Sequence, residues 1–223
     1  MIAATPPLVR LLDPRIGRIE PFGPEGEPSA IRKQAVTGPI AVTTQGLAGD
    51  QQADPGHHGG HDKAVHHYPF EHYAAWRADL PGHAAAFQAP GGFGENLSTL
   101  GLTEDNVCLG DRFRVGSAIL QVSQGRAPCW KLNRRFEVAD MAARVLASGR
   151  TGWYYRVLEP GTIAAGDAVE LIERRHAAWP LARLWRVLYH DTGDRDALAE
   201  LTGLAVLSEN WRVRATKRLA ERA

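Results

Sequence analysis

The chain has 223 residues, of which 26 are lysine or arginine and 25 are aspartate or glutamate, so its formal net charge is +1. With 44% hydrophobic residues it has the composition of an ordinary globular protein, and its balanced charge argues against a general coat of basic residues for nucleic acid. Two cysteines are too few for a disulfide scaffold, a four-thiolate zinc site or an iron–sulfur cluster.

The first part of the chain consists of short apolar segments separated by glycine and proline. These segments are rich in valine, isoleucine and leucine, and several end at turn-forming residues, which is typical of strands. Eight strands are predicted, at Leu8–Leu12, Ile16–Ile19, Ala30–Val36, Ile40–Thr44, Arg112–Val115, Ala118–Ser123, Trp153–Leu158 and Ala168–Ile172. Helices are predicted between them at Pro69–Leu80 and Val138–Ala147. This pattern favours a β-barrel or strongly curved sheet with helical insertions.

The character of the chain changes near Arg174–Ala178, where glycine becomes scarce and apolar residues take helical spacing. Residues 1–173 have a charge balance of −3 and residues 174–223 one of +4. We therefore predict a mixed α+β domain over residues 1–173 and a small all-α domain over residues 174–223. Three helices are expected in the second domain, at Ala178–Tyr189, Arg195–Leu201 and Ser208–Ala220.

Gly46–Asp50 and the following Asp54–Lys63 form a glycine- and histidine-rich region, and seven of the nine histidines lie between His57 and His83. Clustered imidazoles are suited to a metal, although no H-E-x-x-H motif is present. Consecutive glycines such as Gly59 and Gly60 let the backbone approach an anion or cofactor, with Lys63 as a nearby charge. The third interpretation is an ordinary surface loop.

A second glycine-rich segment, Gly91–Leu97, presents Glu95 and Asn96 beside tight backbone geometry. Both side chains form hydrogen bonds readily. They could face a ligand, or Asn96 could cap the backbone of a turn between two elements.

Cys129 follows a predicted strand in the segment Ser123–Lys131. Pro128 is suited to the first turn of a helix that continues to Phe136, which would bring Cys129 to a helix N-terminus between Arg126 and Lys131. A helix dipole and two cations favour thiolate over thiol, and a thiolate is a nucleophile or a soft-metal ligand. The alternative is a small buried apolar residue, which is how we interpret Cys108.

The end of the chain, residues 211–222, is basic. Three helices of which the last is basic are compatible with a DNA-binding helix-turn-helix. A solvated helix face explains the pattern equally simply, because acids such as Asp191, Asp194 and Glu200 lie nearby in sequence. We expect no nucleic-acid partner.

Several segments, taken together and in order, resemble the MOSC-domain proteins, most closely those of the YiiM type. The matching segments are Gly49-Asp50, His58–Gly60, Gly92–Ser98, Asn106-Val107, Gly110-Asp111, Val122–Gln124, Arg126, Pro128-Cys129 and Lys131–Asn133. They span about residues 19–172, and the tail resembles the three-helix C-terminal domain of YiiM-like proteins. Gly125 and Ala127 depart from the pattern, which usually has proline and serine there, so we expect a looser approach to Cys129.

The resemblance implies a MOSC-type β-barrel that binds the molybdenum cofactor, a pterin dithiolene with a phosphate, through Cys129 as the metal ligand. It also implies a reductase that detoxifies N-hydroxylated compounds such as hydroxylaminopurine base analogues. On this basis we assign His58 or Glu95 as proton donor. Residues assigned to the cofactor, besides Cys129, are Gly59, Gly60, Lys63, Asn96, Ser123, Gln124 and Arg126.

Such a reductase needs electrons from elsewhere, because the chain lacks both a nucleotide-binding glycine fingerprint and enough cysteines for a cluster. A separate flavin-type or ferredoxin-type donor protein is therefore expected as partner. The basic tail is either its docking surface or a stabilising cap. The alternative function is a carrier or transferase of sulfur or cofactor, with Cys129 as a persulfide nucleophile.

No apolar run approaches the roughly 18 residues of a membrane span. The N-terminus lacks a basic segment followed by an apolar one, so no signal peptide is visible. We expect a cytoplasmic protein with no membrane partner.

Overall fold

Strands and helices alternate up to residue 173, and three helices of nine, nine and twelve residues follow. The computed structural model describes residues 8–221, except for the side chains at positions 57 and 58. The described strands are β1 (Arg15–Ile16), β2 (Glu20–Phe22), β3 (Glu27–Ser29), β4 (Gln34–Ala35), β5 (Ile40–Thr43), β6 (Gly46–Leu47), β7 (Val65–His67), β8 (Arg112–Val115), β9 (Ala118–Gly125), β10 (Trp153–Glu159), β11 (Gly161–Ile163) and β12 (Val169–Glu173). The described helices are α1 (Pro55–His58), α2 (Glu71–Asp79), α3 (Lys131–Phe136), α4 (Met141–Ser148), α5 (Leu181–Tyr189), α6 (Arg195–Gly203) and α7 (Glu209–Ala220), with 3-10 turns at His61–Lys63 and Pro81–Phe87. The fold is thus mixed α/β with a C-terminal helical domain.

The main sheet has five antiparallel strands in the order β12-β8-β9-β10-β7. Its central strand β9 is buried along its whole length. The apolar run Ala118–Val122 is covered on both faces of the sheet, which is why it reads as a continuous hydrophobic strand in sequence. Strand β9 therefore forms a fixed base for the loop that follows it.

A closed barrel, as predicted, is not found in the part of the chain that the structure describes. The main sheet ends at β12 and β7, and β11, β5 and β6 form a separate three-stranded sheet. The remaining strands form two-stranded sheets, β1 with β4 and β2 with β3. Outside the main sheet the strands are two to four residues long, so they offer too few ladder hydrogen bonds to join its edges.

One hydrophobic core joins the main sheet to the C-terminal helices. Leu120 and Val122 of β9 belong to the same buried cluster as Leu184, Leu188 and Trp211. The apolar face predicted for the first tail helix is confirmed, because Leu184 and Leu188 are fully buried in α5. A second cluster of mainly aromatic residues lies beneath α2, α3 and α4.

The strongly apolar elements are predicted well and the short polar ones are not. The predicted strand Arg112–Val115 is confirmed as β8, and the predictions for β5, β9, β10 and β12 differ by at most two residues at either end. Near the N-terminus the predictions are wrong: Leu8–Leu12 makes only isolated bridges, and only Gln34–Ala35 of the segment Ala30–Val36 is a strand. Strand β7 was missed because its sequence, Val-His-His, has no strand pattern.

None of the helices within residues 8–221 is long and apolar enough to cross a membrane.

Candidate functional site

Cys129 lies where two lobes of a cleft meet. Both lobes share Asp54, Lys63, Cys129 and Tyr154 as lining residues. The inner lobe is further lined by Lys33, Asp50, His66, Asn96 and Arg126. The outer lobe is further lined by Gln124, Trp130, Asn210, Trp211 and Arg214. The structure thus brings Cys129 together with the predicted residues Lys63, Asn96, Gln124 and Arg126.

The thiol of Cys129 is half-buried, but its relation to α3 differs from the prediction. Helix α3 begins at Lys131 with Trp130 as its N-cap, so Pro128 lies before the first turn and Cys129 precedes the helix. The Leu132 N–H donates to the Cys129 carbonyl oxygen at 3.1 Å, which closes a turn here. Helix α3 has only six residues, and the Lys131 ammonium donates to the Pro28 carbonyl at 3.1 Å. The surroundings of the thiol are therefore set chiefly by the side chains of the cleft, and less by the helix dipole and Lys131 than predicted.

A buried ion pair forms the floor of the inner lobe. The Lys33 ammonium lies 2.6 Å from both carboxylate oxygens of Asp50. The same carboxylate accepts hydrogen bonds from the Gly17 N–H at 2.6 Å and the Asn96 amide at 2.8 Å. Burial lowers the pKa of Lys33, and the Asp50 carboxylate opposes that shift. This network was not predicted, since its members lie far apart in sequence.

Asn96 is committed to the scaffold around the inner lobe. Its amide nitrogen donates to the Arg15 carbonyl at 3.0 Å as well as to Asp50, and its amide oxygen accepts the His66 N–H at 3.0 Å. Asn96 therefore ties three segments together beneath the lobe, and its predicted contact with a cofactor would have to come in addition to these bonds.

Glu95 does not line either lobe. Its side chain is fully buried, and its carboxylate accepts hydrogen bonds from the Tyr73 hydroxyl, the Gly91 N–H at 2.6 Å and the Phe93 N–H at 3.0 Å. These donors satisfy the hydrogen-bonding capacity of the carboxylate, which in turn stabilises the glycine-rich turn at Gly91–Phe93. The predicted role of Glu95 as proton donor does not fit this position, and its structural role is clear.

The register of the main sheet places three polar side chains in a row across neighbouring strands. Gln124 of β9 lies opposite Tyr154 of β10, which lies opposite His66 of β7. Residues directly opposite each other in antiparallel strands project from the same face. The rings of His66 and Tyr154 are 5.0 Å apart, and all three side chains line the cleft.

A bulge in β9 explains the position of Ser123. The register with β10 shifts between Tyr154 and Tyr155, so that Ser123 has no residue directly opposite it. Its hydroxyl lies within hydrogen-bonding distance of the Tyr154 carbonyl, at 3.0 Å, and the Asp62 carbonyl, at 2.5 Å. Ser123 therefore holds the 61–63 turn against the sheet, which is a structural alternative to its predicted contact with a cofactor.

Three buried polar atoms beside the cleft have no hydrogen-bond partner among the described residues. They are Arg126 Nη1, His66 Nε2 and Gln124 Oε1. All three residues are at least nine-tenths buried. The Arg126 guanidinium also donates from Nη2 to the Phe93 carbonyl at 3.3 Å and bonds the Tyr154 side chain. Unsatisfied buried groups are costly, so such a cluster indicates a place where a ligand completes the hydrogen bonding.

His66 is a neutral hydrogen-bonding group in this setting. Burial, reinforced by the neighbouring Arg126 guanidinium, lowers its pKa well below the usual range. It therefore keeps one N–H donor and one acceptor at neutral pH and adds no positive charge to the inner lobe.

Tyr154 is the principal residue of the cleft that sequence reasoning missed. It lines both lobes, beside Cys129 and Arg126. Burial raises the pKa of its phenol, and the Arg126 guanidinium opposes the shift. The only sequence signal for Tyr154 is its place in the predicted strand Trp153–Leu158. Its position opposite Gln124 follows from the register of β9 and β10, which the sequence alone does not give.

The glycine-rich loop supplies Lys63, while its histidines are dispersed. A Cβ on Gly59 would lie 3.2 Å from the Cα and the carbonyl oxygen of Pro55, so the backbone packs closely at this position. Gly60 has a φ of 90°, which favours glycine, and its carbonyl accepts the Lys63 N–H at 2.9 Å. Burial lowers the pKa of Lys63, and the carboxylates of Asp54 and Asp62 oppose the shift.

The predicted histidine metal site is not found in the described part of the chain. No group of three or more histidine, cysteine, aspartate or glutamate side chains is arranged to hold a metal there. His61 is exposed, His67 is buried against Thr99 at 3.0 Å, and His72 pairs with Glu104 at 2.7 Å. The side chain of His58, the other predicted proton donor, lies outside the described residues.

Gly125, one of the two departures from the family pattern, is required by packing. It is the last residue of β9 and pairs with Trp153 of β10. A Cβ at this position would lie 2.7 Å from the Trp211 ring carbon Cη2. The glycine therefore makes room for the indole of α7, which covers the strand at the edge of the outer lobe.

Replacement of Gly125 by alanine is expected to lower the free energy of unfolding by about 1–3 kcal/mol, the usual cost of overpacking a well-packed site. Chemical denaturation measures the change. In a Trp211→Leu background the clash is absent, so the same replacement should be neutral or slightly stabilising. Equal destabilisation in both backgrounds would show that Trp211 is not the cause.

Two parts of the chain match known protein families. Residues 54–170 match the family described as MOSC domain. Residues 179–222 match the family described as YiiM-like, 3-alpha helix domain.

The chain is similar to individual proteins over most of its length. Protein YiiM of Escherichia coli (strain K12) is 44% identical over 200 residues, which cover 90% of this chain and 88% of that protein. A protein of Gibberella moniliformis named "Reductase" is 40% identical over 204 residues, which cover 91% of this chain but only 36% of that longer protein. The crystal structure of YiiM from Geobacillus stearothermophilus superposes with a TM-score of 0.80 at 34% identity, covering 95% of this chain and 99% of that one.

Proposed function

The chain belongs to the MOSC-domain family, in its YiiM type, and from this premise we propose that it is a molybdenum-cofactor-dependent reductase of N-hydroxylated compounds. Hydroxylaminopurine-type base analogues are the proposed substrates, and detoxification is the proposed role. One observation carries the proposal: the half-buried Cys129 thiol is shared by two lobes whose buried polar atoms lack partners.

The inner lobe suits a phosphorylated pterin. Arg126 presents an unpartnered guanidinium nitrogen and His66 an unpartnered ring nitrogen, which are complementary to phosphate oxygens and to the edge of a heterocycle. Lys63 lies on the wall that both lobes share. A single thiol suffices for a metal that already carries two dithiolene sulfurs, so the lack of a larger ligand cluster in the described residues is compatible with this group.

Each residue then has a distinct task. Cys129 would ligate the metal, Arg126 and Lys63 would bind the phosphate, and His66 would bind the pterin edge. When bound, the cofactor supplies the two electrons that cleave the N–O bond. Gln124 faces the outer lobe, where its free amide oxygen can accept a hydrogen bond from the substrate's amino group.

Cleavage of an N–OH bond consumes two electrons and two protons and releases an amine and water. Hydroxide is a poor leaving group, so a proton must reach the departing oxygen. Tyr154 is suited to this role because it lines both lobes together with Cys129, and a tyrosine phenol carries its proton at neutral pH. Water in the outer lobe can restore the phenol proton and supply the second one.

Replacement of Tyr154 by phenylalanine is expected to lower kcat for N-hydroxy reduction about a hundredfold, the usual contribution of a general acid, while molybdenum content stays unchanged. Steady-state kinetics and metal analysis on the same preparation test this. The matched control is Tyr155→Phe, which removes a buried hydroxyl hydrogen-bonded to His67 at 3.2 Å on the other face of β10. A Tyr154→Phe enzyme with wild-type kcat would remove Tyr154 from the mechanism.

Electrons must come from a second protein in this proposal. Of the two cysteines, Cys108 is buried and Cys129 is assigned to the metal, which leaves no thiols for a cluster. We therefore propose a separate flavin-type or ferredoxin-type donor.

The function is tested with freshly expressed protein. The expected result is stoichiometric molybdenum with pterin, together with reduction of an N-hydroxylated purine when an electron donor is supplied. Protein that carries persulfide on Cys129, no metal and no reductase activity would instead support the sulfur-carrier alternative.

A further inference from the structure

The last helix of the chain forms part of the wall of the outer lobe. Asn210, Trp211 and Arg214 of α7 line the same lobe as Cys129 and Gln124. An adjoining groove shares Asn210 and Arg214 with this lobe and is further lined by Val213, Lys217, Arg218 and Glu221. The surface leading away from the thiol is therefore continuous and basic.

Arg214 and Arg218 stand out among the cations of the helical domain. Within the described residues, neither makes an ion pair with a carboxylate, and the Arg214 guanidinium only stacks on the Tyr189 ring at 5.2 Å. Arg183 pairs with Glu200 at 3.7 Å and Arg212 with Glu209 at 3.4 Å. Arg186 and Arg195 also lack an ion pair in the described residues, but neither lines the outer lobe or the adjoining groove. The guanidiniums of Arg214 and Arg218 are thus available at the mouth of the cleft.

The arrangement of these groups is suited to an anion. Asn210, Arg214 and Arg218 are spaced at four-residue intervals and share one helix face, where two neighbouring like charges destabilise an isolated helix. A bound anion would relieve this repulsion and could accept hydrogen bonds from the two guanidiniums.

We propose that Arg214 and Arg218 bind the phosphate of the substrate, so that the enzyme prefers N-hydroxylated nucleotides to free bases. This inference rests on the proposed function and extends it to the form of the substrate. The base would lie in the outer lobe near Cys129, and the phosphate would lie along α7. Arg214 and Arg218 are then specificity-determining residues outside the reacting centre.

The test separates binding from turnover. In calorimetric titrations, adenosine 5′-monophosphate should bind about tenfold or more tightly than adenosine, as expected for a charge-assisted contact. Arg214→Gln and Arg218→Gln should each reduce this preference severalfold. Arg186→Gln, which changes an exposed arginine of α5 that lines neither groove, should leave it intact. These titrations need no turnover, so they remain decisive even if N-hydroxy reduction is not found.

Kinetics provide the second measurement. The kcat/KM for an N-hydroxylated adenine nucleotide should exceed that for the free base, and Arg218→Gln, which changes a residue of the adjoining groove and not of the outer lobe, should lower only the former. Equal values for base and nucleotide would overturn the inference and leave the proposed function intact. A uniform loss with all substrates would also overturn it, and would point to the electron donor. The inference would also be overturned if inorganic phosphate alone bound more tightly than the mononucleotide. The same holds if a single-stranded oligonucleotide bound more tightly than the mononucleotide.

Discussion

Replacement of Cys129 by serine is expected to remove molybdenum from the purified protein and to lower N-hydroxy reduction by more than about a hundredfold. Loss of a residue that merely supports a metal ligand typically costs 10- to 100-fold in affinity or activity, and loss of the ligand itself should cost more. Serine offers a hard, protonated oxygen in place of a soft thiolate. Metal analysis by mass spectrometry and steady-state turnover measure the two effects.

The matched control is Cys108→Ser, because Cys108 lies away from the cleft. Its side chain is 3% exposed, its sulfur lies 3.8 Å from the Ala177 carbonyl, and burial raises the pKa of its thiol. This variant should keep wild-type molybdenum content and turnover. If Cys129→Ser also kept both, the assignment of the metal ligand would be wrong.

Replacement of Asp50 by alanine is expected to lower the free energy of unfolding by about 3–5 kcal/mol, the usual cost of breaking a buried ion pair. The change leaves the Lys33 ammonium, whose side chain is 8% exposed, without its carboxylate and also removes acceptors for Gly17 and Asn96. Denaturant unfolding followed by circular dichroism gives the value.

Two further variants separate the buried charge from general disruption. Lys33→Met combined with Asp50→Ala should recover part of the loss, because no unpaired charge remains. Glu20→Ala, which breaks the exposed pair with Arg32, should cost at most about 1 kcal/mol. A double variant as unstable as Asp50→Ala alone would mean that the backbone contacts, and not the ion pair, dominate.

The parts of the fold that follow from local pattern are those predictable from sequence. Strand β9 and helix α5 each bury a long apolar run or face, so hydrophobic periodicity identifies them. Strands β2, β3 and β7 are three residues each, and their existence depends on pairing with distant segments. Barrel closure is likewise a property of how the sheet edges meet, which no single segment encodes.

The candidate site divides in the same way. Cys129 and Arg126 are close in sequence, and their proximity in the cleft follows from one short loop. Tyr154 and His66 reach the cleft only through the register of three strands, and the bulge at Ser123 sets that register. Glu95 is the opposite case, because its glycine-rich segment predicts a site residue. In the structure its carboxylate accepts hydrogen bonds from the backbone of that same turn.

Helix α7 links access to the cleft with local unfolding. It is the last helix described, buries chiefly Trp211 and Ala215, and is tethered to β9 by the bond from the Ser208 N–H to the Ser123 carbonyl at 3.1 Å. Only these two residues of α7 are buried whereas β9 is buried throughout, and elements with few buried residues open at lower free energy than a central sheet. Opening of α7 would widen the outer lobe while β9 and β10 stay paired. Amide hydrogen exchange that is faster in α7 than in β9 is the expected signature of this opening.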